Sequence, residues 1–264
     1  MSGIAGIVNL DLAPVDPAVL ARMVDAIRFR GPDAVNAWTE GPAGLGHTLL
    51  TTDDGEVVPQ PYSPDGVRWI VADARIDARA DLVAALAAAD GRASTSARIP
   101  LASASDLDLI LRAYDTWGEA CAEHLLGDFA FAIWDAPARR LFCARDQMGV
   151  KPFFYAHAGR AFVFSNTLDA VRRHPAVSAR LDELAIADFL LFDVNTDAGS
   201  SMFADIRRLA PGHTAVCSAD GVRVRRYWTL PIDEPLEYRR QQDYVERFNE
   251  LLHAAVSEIG RAHV

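Results

Sequence analysis

The sequence predicts an α+β layered domain, and three observations carry that reading. Short β-rich runs follow one another at hairpin distances, which makes them antiparallel. A few amphipathic helices are interleaved with them, as in a layered sheet-and-helix domain rather than a doubly wound one. No G-x-x-x-x-G-K-[ST], G-x-G-x-x-G or S-G-G pattern occurs, so no phosphate-cradling loop is present.

Each element has a local reason. Residues 3–10 read as a first strand. In DPAVLARMVDAIRFRGPD, Asp16 is placed to cap a helix, Pro17 suits its first position, and Val19, Leu20, Met23 and Ile27 share one face. Gly31-Pro32 is its expected stop. AGLGHTLL and VRWIVADARI follow as strands, and AADGRASTSARIPLASAS as a small-residue loop. SASDLDLILRAYDTWG is a helix in which Ser105 and Asp108 have capping-box spacing. GDFAFAIWD, RRLFCARD and KPFFYAHAGRAFVFSN are the most β-rich part; Phe129, Phe131, Trp134, Phe153 and Phe154 recur at strand period as core candidates. DELAIADFLLF is a further helix, and HTAVCSADGVRVRRYW a hairpin with Asp220-Gly221 as its tight turn. Beyond LPIDEPLEYRR, a helix over 243–257 carries Val245, Phe248, Leu252 and Val256 on one side.

Composition narrows the function classes. A chain of 264 residues, half of them apolar, can bury a sizeable core. A formal charge of -10 disfavours nucleic acid and anionic membrane, leaving small molecules or other proteins as partners. Cys121, Cys143 and Cys217 lie far apart without metal-ligand spacing, so no metal site and no disulfide is expected, and a reducing cytoplasm fits. No apolar run approaches the ~20 residues of a membrane helix.

The ordered set SGIAGIV, RFRGPD, GLGHTLL, QPY, ADARID, SASDLDLILRAYDTWG, GDFAFAIWD, ARDQMGVKPFFY and APGH…RRYW resembles the N-terminal glutaminase domain of asparagine synthetases. That domain is a class II glutamine amidotransferase. The resemblance implies the N-terminal-nucleophile hydrolase fold, a four-layer αββα arrangement of two antiparallel sheets between helices, over residues 1–230.

It also implies a site, and this sequence departs from it. The family's nucleophile is a cysteine at position 2, freed by removal of Met1, with its own α-amine as base. Here position 2 is Ser2, whose hydroxyl is far harder to deprotonate than a thiol of pKa about 8.5. The arginine that clamps the glutamine α-carboxylate is replaced by Leu49, and the Asn-Gly pair of the oxyanion hole by Asp73-Ala74. An ionised carboxylate is acceptor-only and opposes a developing oxyanion. Of the substrate contacts, only the aspartate that would hold the amine, Asp106, is kept; its plainer role is to complement a helix start. Ser2 therefore reads as a remnant. His47 is expected to be a hydrogen-bonded structural histidine, Arg145-Asp146 a structural ion pair at a turn, and Asp53-Asp54 a solvated loop.

The resemblance further implies that residues 231–258 lead into a synthetase domain using ATP and Mg, outside this chain, with no cofactor in the chain itself. Residues 259–264, within EIGRAHV, match what a sequencing-library adaptor string encodes, and are expected to be non-native. Three readings follow. The first is the glutaminase-like domain of an ATP-dependent amide ligase acting on a small molecule or peptide, of β-lactam synthetase or lasso-peptide cyclase type. The second is a glutamine-hydrolysing asparagine synthetase using Ser2, and the third a non-enzymatic binding module. A homodimer is compatible with each.

Overall fold

Eleven strands and six α-helices follow one another among the residues described by the computed structural model, 1–51, 58–90, 100–232 and 235–260. In chain order they are β1 (Gly3–Asn9), α1 (Pro17–Ala26), β2 (Ala34–Glu40), β3 (Ala43–Leu49), β4 (Arg68–Asp77), α2 (Arg79–Asp90), α3 (Asp106–Trp117), β5 (Leu126–Asp135), β6 (Arg140–Arg145), β7 (Phe154–Ala158), β8 (Ala161–Ser165), α4 (Leu168–Arg172), α5 (Glu183–Phe192), β9 (Arg207–Arg208), β10 (His213–Ser218), β11 (Gly221–Arg226) and α6 (Gln241–Gly260). One sheet has six strands, in the order β2-β3-β1-β8-β7-β9, and the other five, β11-β10-β6-β5-β4. All the pairings are antiparallel.

Strand alternation sorts the core into three layers. Ile4 and Leu45 of one sheet meet Val71, Ala130, Ala132 and Cys143 of the other in the middle layer. The opposite faces carry Phe129, Phe131 and Phe142 against Leu82 and Leu86 of α2 and Ile110 and Tyr114 of α3. On the far side, Ala5, Ile7 and Val163 pack on Leu20, Met23 and Val24 of α1 and Ala170 and Val171 of α4. The result is the expected αββα sandwich. Small residues at β5 positions facing β-sheet and large ones facing helices explain why Phe and Ala alternate there. Each buried Phe contributes roughly 1.5–3 kcal/mol by leaving water. Trp38 and Trp69 stack across the two sheets with ring centroids 4.4 Å apart.

Local chemistry sets several ends. Asp16 accepts from Ala18 N–H with Pro17 at the helix start, and Ser105 and Asp108 form the reciprocal capping box. Tyr62 Oη donates to Asp108 Oδ1 at 2.7 Å, tying this cap to the edge of β4. There Gln60 imitates a strand residue: its Nε2 donates to Ala72 O at 3.1 Å and its Oε1 accepts from Ala72 N–H at 2.6 Å. Tyr62 adds a bridge to Ile70. A side chain at Gly31 would run into the Thr48 backbone, which fixes a glycine where α1 returns to β3.

Some elements differ from the sequence reading. Helix α1 ends at Ala26, and a 3-10 turn over Arg28–Arg30 precedes Gly31. Helix α2 and strand β2 were not foreseen: RADLVAALAAAD is dominated by small alanines without a strong apolar stripe, and β2 is an edge strand with most residues exposed. The β10–β11 hairpin turns on Ala219-Asp220, and Gly221, at φ +111°, opens β11 instead of closing the turn. Phe154 is half-buried under the Arg208 guanidinium, 5.6 Å from its ring centroid, while Phe129, Phe131, Trp134 and Phe153 are buried.

The chain divides into two compact units, Met1–Leu50 with Val58–Trp228, and Thr51–Val57 with Thr229–Val264. Helix α6 belongs to the second, and Val245, Phe248, Leu252 and Val256 on it are exposed. The Asp53-Asp54 pair, most of the small-residue loop before Pro100, and residues 261–264 of the expected foreign tail lie outside the described residues. No described helix is long and apolar enough to cross a membrane.

Candidate active site

Ser2 stands one residue ahead of β1, an interior strand of the six-stranded sheet. Its Oγ accepts from Leu50 N–H at 3.2 Å. Its carbonyl accepts from Asn166 Nδ2 at 2.8 Å, and the same amide's Oδ1 accepts from Ile4 N–H at 3.2 Å. Asn166 is buried, so this amide clamps the first strand on both sides of Gly3. Arg30 Nε also reaches the Ser2 carbonyl, at 3.5 Å. Burial lowers the pKa of the Met1 α-amine; Asp73 opposes that shift, and Lys151 and Arg30 add to it.

Asp73 shares the inward face of β4 with Val71, and faces the first sheet. Lys151 Nζ donates to its Oδ1 at 3.0 Å, and Arg30 Nη2 lies 4.0 Å from Oδ2. Oδ2 is buried without a hydrogen-bond donor among the described residues. The side chains of Asp73 and Lys151 are only 7% and 13% exposed, so this is a buried pair with a second cation beside it. Arg30 thus touches both Ser2 and Asp73, joining the two positions. Ala74 turns the other way and packs on the outer core under α3.

Leu49 closes β3, half-buried and uncharged, next to the Leu50 amide that holds Ser2 Oγ. Asp106 opens α3, as its helix-start role requires, but it does more. Its Oδ2 accepts from Ile76 N–H at 3.0 Å, and its Oδ1 is bound by the Arg79 guanidinium. Arg79 also holds the Ala104 carbonyl. Burial pushes the Asp106 carboxyl above its ordinary pKa, against the pull of Ile76 N–H and Arg79. The Asp106 carboxylate is therefore already engaged from within the chain.

The structure brings Ser2 and Asp73 together through Arg30 and sets Leu49 at the strand end beside them; Asp106 attaches to β4 three residues beyond Asp73. Sequence reasoning missed Lys151, Arg79 and Asn166, and gave Arg30 no role at the site. A signal existed for two of them: a buried carboxylate on an inward strand face requires a cation. The partner of Asp73 nevertheless lies 78 positions away.

Two expectations need correction. His47 is buried, but its Nε2 has no hydrogen-bond partner among the described residues, and burial lowers its pKa to about 4. It is a neutral structural ring, not a hydrogen-bonded one at that nitrogen. Arg145 and Asp146 do not pair with each other. Arg145 donates to the carbonyls of Lys151, Leu209 and Gly149, and Asp146 accepts from the amides of Val150 and Lys151. Both shape the loop that delivers Lys151 to Asp73.

Two face-to-face antiparallel sheets flanked by helices, with residue 2 leading into an interior strand, define the class of N-terminal-nucleophile amidotransferase folds. A family profile described as a glutamine amidotransferase domain matches residues 1–228, and the chain belongs to that family. It is 33% identical over 235 residues to asparagine synthetase (glutamine-hydrolyzing) 3 of Bacillus subtilis strain 168, covering 87% of this chain and 37% of that protein. A putative asparagine synthetase (glutamine-hydrolyzing) 2 of Methanocaldococcus jannaschii is 27% identical, over 97% of this chain and 52% of its own length. The chain thus spans about a third to a half of the length of these relatives. Among solved structures, the glutamine phosphoribosylpyrophosphate amidotransferase from B. subtilis superposes with a TM-score of 0.57 at 14% identity, over 86% of this chain and 49% of that one, a likeness of fold.

Proposed function

We propose that this chain is the glutaminase-derived domain of an asparagine-synthetase-type ATP-dependent amide ligase, and that it does not hydrolyse glutamine. The observation that carries the reading is Asp73, held by Lys151 where the family has its oxyanion donor. Leu49 supports it by offering no charge to an α-carboxylate, and Arg79 by occupying Asp106. With the glutaminase site lost, the parent ligase uses an amine already on its substrate, as in the β-lactam synthetase or lasso-peptide cyclase type. ATP and Mg belong to the downstream part.

A glutamate-release assay on the chain with Met1 removed tests this, and no turnover is expected. Ser2→Cys restores a nucleophile but neither the clamp nor the oxyanion donor, so it is expected to stay inactive. Losing one oxyanion donor costs about 2.7–4 kcal/mol. The missing charge-assisted clamp adds about 1.5–3 kcal/mol. Turnover is expected only with Ser2→Cys, Leu49→Arg, Asp73→Asn and Ala74→Gly combined and Asp106 released by Arg79→Ala; robust turnover by wild type or by Ser2→Cys alone would overturn the reading.

A further inference from the structure

Helix α5 reads ELAIADFLLF, apolar on nearly every side, yet Ala185 is its only buried residue. Leu184, Phe189, Leu190, Leu191 and Phe192 are exposed, as is Val194 just beyond, with Leu190 at 77% and Leu191 at 74%. A helix that is apolar all round is ordinarily buried, and a contiguous apolar patch of this kind marks a contact surface.

Its surroundings state what kind of contact. Residues 181–206 contain six acidic side chains, Asp182, Glu183, Asp188, Asp193, Asp197 and Asp205, and no lysine, arginine or histidine. Asp197 and Asp205 pair with Arg207 and Arg180 from either side of the segment. Asp182, Glu183, Asp188 and Asp193 take part in no described ion pair. An apolar face with an acidic rim repels a second copy of itself and an anionic lipid surface, and it complements an apolar surface rimmed by lysine or arginine.

The relatives supply an occupant, since this chain spans only 37% of one and 52% of another. The geometry points to α5 as the seat of a basic-rimmed apolar surface on the downstream, ATP-dependent part of the parent polypeptide. This rests on the ligase reading above. It concerns α5 of the first unit and is independent of the stripe on α6.

Hydrogen exchange compares the 264-residue chain with the product of the complete reading frame at its locus. Amides over 186–192 are expected to exchange at least tenfold more slowly in the longer protein. Leu190→Asp with Leu191→Asp abolishes that slowing and leaves the melting temperature of the 264-residue chain unchanged, because both side chains are exposed there. Glu183→Lys with Asp193→Asn reduces it several-fold, as does added salt, which a purely apolar contact would not show. Equal exchange in both proteins overturns the proposal, as does a reading frame that stops at Val264. Protection that arises in the short chain as its concentration rises assigns the face to a second copy and overturns it too. Glutamate release by the longer protein would reject the loss of glutaminase while leaving the exchange result to decide the contact.

Discussion

Strand β4 is two regions in one. Its first half, Trp69 to Ala72, alternates between the middle layer and the helix-covered outer core, and its side chains meet carbon on both faces. Its second half is charged: Asp73 is held by Lys151, and Arg75 by Asp77 and Asp128. In the first half, volume decides which residue fits, and many apolar residues are tolerated. In the second, each charge depends on a charged partner, two residues away for Arg75 with Asp77 and 78 positions away for Asp73 with Lys151, so identity is coupled between positions. The first half belongs to the fold, the second to the candidate site, and they answer differently to substitution.

The sharpest test of the charged half is Lys151→Met. It leaves Asp73 buried without its hydrogen-bonding cation and is expected to cost about 3–5 kcal/mol in denaturant unfolding. Adding Asp73→Leu is expected to recover most of that loss; a double variant no better than the single would show that Lys151 acts through packing alone. In the apolar half, Ile70→Ala is expected to cost about 2–5 kcal/mol, with no second-site charge change able to restore it.

His47 gives a test on pH. Its folded pKa of about 4 lies below the unfolded value near 6.5, so between those limits the unfolded chain binds the extra proton. Its contribution is full above about pH 6.5 and is lost as pH falls through 4. At about 1.36 kcal/mol per pKa unit the ceiling is roughly 3 kcal/mol. His47→Leu is expected to flatten the acid limb of the stability curve by about one proton across that window, and an unchanged slope would refute this assignment. The smallest effect is Ser105→Ala, expected to cost about 0.5–2 kcal/mol through the lost helix cap, read as a lower thermal midpoint.

These contrasts explain what could be read from the sequence. The strand-period Phe residues, the Asp16-Pro17 start and the Ser105 cap act within a few residues, so pattern sufficed to place them. The α+β layering followed from them. Helix α2 escaped because alanine leaves no stripe, and β2 because an edge strand need not alternate. At the candidate site, the residue types at Ser2, Leu49, Asp73 and Ala74 could be read one position at a time. Their partners were not: Lys151, Arg79 and Asn166 reach their contacts only through the topology of two sheets.

The imitation of a strand by Gln60 has a consequence for how the molecule behaves in company. As an edge strand, β4 would otherwise offer open N–H and C=O groups to any extended chain it met. The Gln60 amide fills both groups of Ala72, and Tyr62 fills those of Ile70. At the opposite edge of the same sheet, β11 carries Arg223, Arg225 and Arg226, the first two paired with Glu119 and Glu123, and charged side chains along an edge disfavour the docking of another strand. The five-stranded sheet is thus closed at one border by a side chain and guarded at the other by charge, so in concentrated solution this sheet should resist edge-to-edge growth, and any such growth should start from the exposed β2 edge of the other sheet.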